Sequence, residues 1–223
     1  MDTTPASTRS RTCARPRVSH RLSAVKLFKK QELPAETAAR VPPGQYLTEK
    51  WPVLHYGTVP RFDPKTWEFR VFGAVENELR YDWEEFKKLD QTLVQADMHC
   101  VTTWSRLDQR WEGVPFAKIV ELAKPKADAK FVIAHSEYGF TANTPLEFCL
   151  RDDCLLALRA NGEPLTAEHG SPLRLVVPRL YAWKSAKWLR GIEFSAVDKP
   201  GFWERNGYHN RGDPWKEERY WGD

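Results

Sequence analysis

His169-Gly170-Ser171-Pro172-Leu173-Arg174-Leu175-Val176-Val177-Pro178 runs directly into Arg179-Leu180-Tyr181-Ala182-Trp183-Lys184-Ser185-Ala186-Lys187-Trp188-Leu189-Arg190. Leu173 to Val177 is a short apolar run of the kind a buried strand uses, and Arg174 interrupts it. A guanidinium is almost never fully buried without a partner, so an anion is expected to meet Arg174. An Asp or Glu of the chain would satisfy that need. Downstream, however, Lys184, Ser185 and Lys187 add two ammonium groups and a hydroxyl in aromatic surroundings. With Arg174 they resemble a receptor for a phosphate: a guanidinium fork, point charges and a hydroxyl. No GxGxxG follows a strand and no GxxxxGK[ST] occurs, so dinucleotide and nucleoside-triphosphate folds have no support and a phosphorylated cofactor is the economical explanation.

Upstream lies a second chemistry-bearing stretch, Gln95-Ala96-Asp97-Met98-His99-Cys100-Val101-Thr102-Thr103-Trp104-Ser105-Arg106. Polar and partly cationic company is expected to favour the metal-binding thiolate of Cys100. A small buried hydrophobe is the alternative. His55, between Leu54 and Tyr56 in a segment too rich in proline and glycine for a helix, is either structural or meets a polar cofactor group as neutral imidazole. The apolar run Lys130–Ser136 predicts a strand, and its end presents His135, Ser136 and Glu137 where strand ends meet ligands.

The remaining patterns read as scaffold. Thr66–Ala74 alternates, with Trp67, Phe69 and Val71 on one face of a strand. Asp82 with Glu85 approximates a capping box that opens a short helix carrying Trp83, Phe86 and Leu89 along one side. Gly113-Val114-Pro115 introduces a helix with Phe116, Ile119, Val120 and Ala123 at helical spacing, ended by Pro125. Asn161-Gly162 is a strong hairpin signal between Leu155–Arg159 and Pro164-Leu165.

With 223 residues the chain can bury a sizeable core, and 41% hydrophobic residues with ten tryptophans place it among globular proteins. No apolar run approaches the ~20 residues of a spanning helix, so no membrane span is expected. Residues 1–30 carry eight Arg and Lys against Asp2 alone, a local +7; the overall +4 therefore leaves the rest at −3. A nucleic-acid partner would have to rest on that tail, and none is expected. Residues 1–40 are read as a basic, disordered extension and 41–223 as the folded domain. The tail lacks the apolar core of a secretory signal, and a cytoplasmic location is expected. Four cysteines without CxxC spacing predict free thiols or ligands, with Cys149 and Cys154 in core packing.

The 169–178 segment followed by Lys184-Ser185-Ala186-Lys187-Trp188-Leu189 resembles the pterin-binding signature of the sulfite oxidase family of molybdenum enzymes, and Cys100 lies where that family has its metal-ligating cysteine. The similarity extends from about Pro42 to Tyr220. It implies an α+β protein of the sulfite oxidase type, with several mixed β-sheets and short helices around one deep cofactor pocket. It also implies a molybdopterin oxidoreductase in which Cys100 ligates molybdenum, or less often tungsten, and transfers oxygen atoms. By position, Leu54, His55, Ser136, His169, Arg174, Lys184, Ser185, Ala186 and Lys187 match places where family members touch the pterin or its phosphate, and Trp104, Tyr181 and Trp183 would line the substrate path. Animal and plant sulfite oxidases continue from the ligand cysteine with Ala-Gly-Asn-Arg-Arg; Cys100-Val101-Thr102-Thr103-Trp104 is closer to the bacterial catalytic subunit that reduces methionine sulfoxide and to a bacterial and archaeal branch of sulfite oxidase-like proteins. A small or protein-borne sulfur substrate and an external electron carrier follow. A non-catalytic or zinc-binding domain, using Cys100 with His99, His135 or His169, is the alternative.

Overall fold

The structure, a computed structural model, describes residues 33–223, and Leu33–Asp223 forms one compact unit. The expected basic extension therefore lies outside the described residues up to residue 32. The boundary expected at residue 41 falls inside the unit, where Arg40 is bonded to both Asp97 and Asp108.

In chain order the elements are α1 (Ala35–Ala38), β1 (Tyr46–Leu47), β2 (Glu68–Gly73), β3 (Leu79–Asp82), α2 (Trp83–Lys87), β4 (Thr92–His99), β5 (Trp104–Pro115), α3 (Phe116–Ala123), β6 (Phe131–Ser136), β7 (Thr141–Pro145), α4 (Leu146–Cys149), β8 (Leu155–Ala160), β9 (Glu163–Pro164), β10 (Arg174–Val176), β11 (Leu189–Ser195) and α5 (Phe202–Arg205). They build two mixed sheets. One runs β1-β5-β8-β10, with β4 paired to β5 and β9 to β8; the other runs β3-β2-β11-β6-β7. Parallel pairing occurs between β1 and β5 and between β11 and β2. This is the α+β architecture expected, and among the described residues no helix is long and apolar enough to cross a membrane.

Local chemistry explains most elements. The capping box at the start of α2 is complete, Asp82 accepting from the Glu85 N–H at 2.8 Å and Glu85 accepting from the Asp82 N–H at 3.0 Å. Of the expected apolar stripe only Phe86 is buried within that helix, which ends before Leu89. Pro115 caps α3, whose buried face is Phe116, Ile119 and Ala123, and Lys124 closes it in the left-handed region. Asn161 and Gly162, at φ 54° and 85°, form the turn between β8 and β9.

The main core lies around α3: Phe69, Val71, Phe116, Ile119, Val132, Leu156, Ile192 and Phe194 belong to it, and so do the free thiols Cys149 and Cys154. A second cluster gathers Met98, Cys100, Val101, Trp104, Trp111 and Val176. Gly113 of β5 lies where the register to β8 shifts. A Cβ there would meet the Leu156 carbonyl oxygen at 2.1 Å and the Ala157 Cα at 2.7 Å. Gly113→Ala is expected to lower stability by about 1–3 kcal/mol, the usual cost of forcing atoms into a packed interior, read as a reduced urea midpoint.

Candidate active site

A cavity of about 260 Å³ opens beside the second core cluster. Its wall is assembled from the Trp51–Tyr56 segment, the turn after β4, Phe140 between β6 and β7, Arg174 of β10, the Ala182–Trp188 segment, and Trp203 and Tyr208. Of the residues singled out from sequence, Cys100, Leu54, His55, Arg174, Ser185, Ala186 and Lys187 come together here, and Trp104 and Trp183 line the same space.

Cys100 is set by a turn in which the Thr103 N–H donates to the Cys100 carbonyl at 3.0 Å while the Cys100 N–H donates to the Trp104 carbonyl at 2.9 Å. Thr103 adopts φ +72° to make it. Gln45 Nε2 donates to the Cys100 carbonyl at 3.1 Å, and Arg219 donates to the Val101 carbonyl at 2.8 Å. The thiol is 7% exposed and its Sγ lies 3.2 Å from Thr102 Oγ1. Burial pushes its pKa up, against the opposing pull of Thr102, Lys187 and Arg219. The expectation that its neighbours favour the thiolate is corrected accordingly. His99 turns away, as strand alternation requires, and its Nδ1 meets Ser105 Oγ at 2.8 Å, while Arg106 lies over the Trp51 ring. A coordinated metal ion, by contrast, deprotonates a thiol outright.

Arg174 is buried, donating to the carbonyls of His169 at 2.9 Å and Ser185 at 3.0 Å, with its guanidinium 5.7 Å from the Trp51 ring centre and 5.4 Å from that of Trp111. Its Nε has no partner. Desolvation lowers its pKa to about 9. Lys187 donates to the carbonyls of Leu54 at 2.8 Å and Glu168 at 2.6 Å, and desolvation with the Arg174 charge lowers its pKa to about 7. Neither cation has a carboxylate partner among the described residues, so the Asp or Glu that could have met Arg174 is not there. Two desolvated positive charges with donors to spare suit a phosphate dianion. The Ser185 hydroxyl accepts from the Val177 N–H at 2.9 Å and keeps its own proton to donate.

Three expected contacts fall elsewhere. Lys184 is fully buried away from the cavity, paired with Glu204 at 2.6 Å and donating to Asn143 O, Asn143 Oδ1 and Asn210 O. Its charge is spent within the protein. His169 is also outside the lining: its ring stacks on Trp51 at 3.7 Å and its nitrogens meet Thr166 Oγ1 and the Trp51 carbonyl. It fixes the tryptophan that forms the wall. Ser136 is buried at the end of β6, its hydroxyl unpartnered but not in the lining. Tyr181 is buried behind Trp183, stacked at 5.2 Å, whereas Trp188, more simply read as packing, does reach the cavity. His135 is bonded to Glu193, so neither it, His99 nor His169 joins Cys100 in a zinc-like set.

Trp51, Tyr56, Phe140, Trp203 and Tyr208 were not legible as lining residues. Aromatic contacts bring them together across segments far apart in sequence, Tyr56 to Trp203 at 6.3 Å and Phe140 to Trp203 at 6.1 Å, and Trp203 stacks on the nearby Tyr208 at 4.9 Å. The density of aromatics in 201–221 was the available signal.

Residues 56–203 match the oxidoreductase molybdopterin binding domain. The chain belongs to this family. It is 50% identical to the uncharacterized oxidoreductase YuiH of Bacillus subtilis over 190 residues, 85% of this chain and 96% of that protein. It is 27% identical to the protein-methionine-sulfoxide reductase catalytic subunit MsrP of Campylobacter jejuni over 160 residues, 64% of this chain and 54% of that protein. Its fold is similar to that of the sulfane dehydrogenase SoxCD from Paracoccus pantotrophus, with a TM-score of 0.58 and 21% identity, covering 86% of this chain and 61% of the other.

The two lysines of Lys184-Ser185-Ala186-Lys187 thus have separable roles. Lys184→Ala leaves the Glu204 carboxylate buried without its partner and is expected to cost about 3–5 kcal/mol in chemical unfolding. Arg174→Ala is expected to reduce bound pterin, read by fluorescence of the oxidised pterin released on denaturation, while the protein stays soluble; unchanged loading would leave Arg174 a purely structural role.

Proposed function

We propose that this molybdopterin oxidoreductase transfers an oxygen atom at a sulfur centre, with reduction of an organic sulfoxide, small or protein-borne, as its preferred reaction. The observation that carries this reading is the composition of the cavity wall that Cys100 shares. It is built of Val101, Trp104, Phe140, Trp183, Trp203 and Tyr208, and its two cations, Arg174 and Lys187, are already committed to backbone carbonyls and suited to a phosphate. A neutral, dipolar sulfoxide with apolar substituents fits such a wall better than an oxyanion, which needs cationic reception beside the metal.

When bound, the cofactor supplies a redox-active metal at which oxygen is exchanged. The chain's residues do the rest. Cys100 supplies the protein thiolate, and Arg174, Lys187 and the Ser185 hydroxyl hold the phosphate end, with Ala186 and the Leu54 and His55 segment closing the wall around it. Tyr208, whose hydroxyl is held protonated by burial, offers a hydrogen bond to a substrate oxygen. Sulfoxide reduction consumes two electrons and two protons and releases the sulfide and water, so an external electron carrier completes the cycle. The Campylobacter relative, a catalytic subunit by name, accords with a separate electron partner.

The test uses full-length protein from a host that makes the cofactor. Elemental analysis is expected to find near-stoichiometric molybdenum with pterin, tungsten being the other metal the same measurement reads. Reduced viologen is expected to be oxidised by methionine sulfoxide or dimethyl sulfoxide faster than sulfite reduces ferricyanide. Cys100→Ser is expected to lose activity by at least about 10–100-fold, the cost of disturbing even a supporting partner of a metal ligand. Near-stoichiometric zinc with neither molybdenum, tungsten nor pterin would overturn the assignment, and a preference for sulfite would overturn the substrate class.

A further inference from the structure

Thr102 stands out among the residues around Cys100. It lies in the cavity wall, its Oγ1 is 3.2 Å from Cys100 Sγ, and it has no role in packing, being exposed. Two residues separate most side chains on a strand by more than a hydrogen bond; the turn is what folds this hydroxyl back onto the sulfur. That turn is fastened on every side. The Cys100 carbonyl receives both the Thr103 N–H and Gln45 Nε2, the Cys100 N–H is fixed to Trp104, and the Val101 carbonyl is held by Arg219, which also reaches the Pro43 carbonyl. Thr103 takes up the reversal at φ +72°, so Thr102 is left in place. The neighbouring Thr103 hydroxyl is spent on the Thr102 carbonyl at 2.7 Å and cannot compete for the sulfur.

We infer that Thr102 is a positioning residue that donates its hydroxyl proton to the sulfur of Cys100 and thereby tunes the metal centre, an inference that rests on Cys100 being the ligand. As a free thiol, Cys100 can either donate to or accept from Thr102. As a metal-bound thiolate it has no proton, so the hydroxyl can only donate. A hydrogen bond to a ligating sulfur withdraws electron density from the metal–sulfur bond and favours the reduced metal, as partners beyond the ligand set do in other metal sites. Such a bond is expected to shift the redox equilibrium of the metal by up to about tenfold. For a one-electron step, tenfold corresponds to about 59 mV.

The experiment compares the full-length wild type, Thr102→Val and Thr102→Ser, each with measured metal content. The readouts are the sulfur-to-metal charge-transfer band and the midpoint potential of the metal, followed by paramagnetic resonance in a redox titration. Thr102→Val keeps the shape and removes the hydroxyl donor, while the Thr102 backbone N–H toward the sulfur is retained. It is expected to move the band to longer wavelength and to lower the potential by up to the tenfold equivalent, and Thr102→Ser is expected to restore both. Should Thr102→Val fail to take up metal, Thr102→Ala removes the donor with less bulk and is read in the same way. A thiolate band present in the wild type and unmoved in the variant without the hydroxyl, at equal metal loading and with unchanged potential, would overturn the role of the Thr102 hydroxyl. Absence of the thiolate band from metal-loaded wild type would instead overturn Cys100 as ligand.

Discussion

The buried ion pair between Lys184 and Glu204 holds the cavity together. Both side chains are almost wholly removed from water, at 0% and 1% exposure, a costly arrangement unless every hydrogen-bonding position is filled. Lys184 comes close to that limit, reaching the Asn143 carbonyl and amide oxygens, the Asn210 carbonyl and the carboxylate. The same carboxylate accepts from Trp183 Nε1 at 2.8 Å. Asn143 in turn donates to Asp198 and Asn210. One network therefore ties β7, the turn after β10, α5 and the segment at 208–212, and each of these either contributes to the wall or flanks a residue that does. Of the wall's aromatic side chains the ion pair fixes Trp183 directly, while Trp188 donates to the Ala167 carbonyl and Trp51 stacks on His169.

Two kinds of desolvated cation coexist between residues 174 and 187. Lys184 is neutralised by the protein, whereas Arg174 and Lys187 face the cavity with carbonyl partners and no carboxylate. The difference is electrostatic intent written in three dimensions: the first charge is consumed by the fold and the other two are left for something brought in from outside. Desolvation lowers the pKa of all three; Glu204 opposes it at Lys184, and a bound anion would oppose it in the same way at Arg174 and Lys187.

Much of this was legible in the sequence, and the reasons are physical. The capping box at Asp82, the Asn161-Gly162 turn, the β6 strand and the amphipathic α3 are decided by chemistry within a few residues. Arg174 in an apolar run announced a desolvated charge without a carboxylate of its own, and Cys100, singled out by its neighbours and by family resemblance, lines the same cavity. The assignment of both lysines of Lys184-Ser185-Ala186-Lys187 to one site failed because the 3-10 turn Ala182–Lys184 sends them to different sides, which spacing alone does not reveal. His169 failed as a direct contact because a stacked tryptophan from far upstream stands in front of it. The thiolate-favouring neighbourhood of Cys100 failed because adjacent residues on a strand point oppositely and burial outweighs the remaining polar groups.

The wall's construction from both ends of the described chain has a consequence for assembly. Trp51 to Tyr56 and Trp203 to Tyr208 close the same space, and Lys187 bridges to the Leu54 carbonyl across 133 positions. The cavity therefore exists only once residues 51–56 and 203–208 have met, so a ligand is received by a fold that already joins them. Whatever binds there also clamps those ends together, and its affinity is shared with the stability of the whole chain by mass action. Scarcity of the cofactor would then be felt as a shorter lifetime of the protein as well as a lower activity.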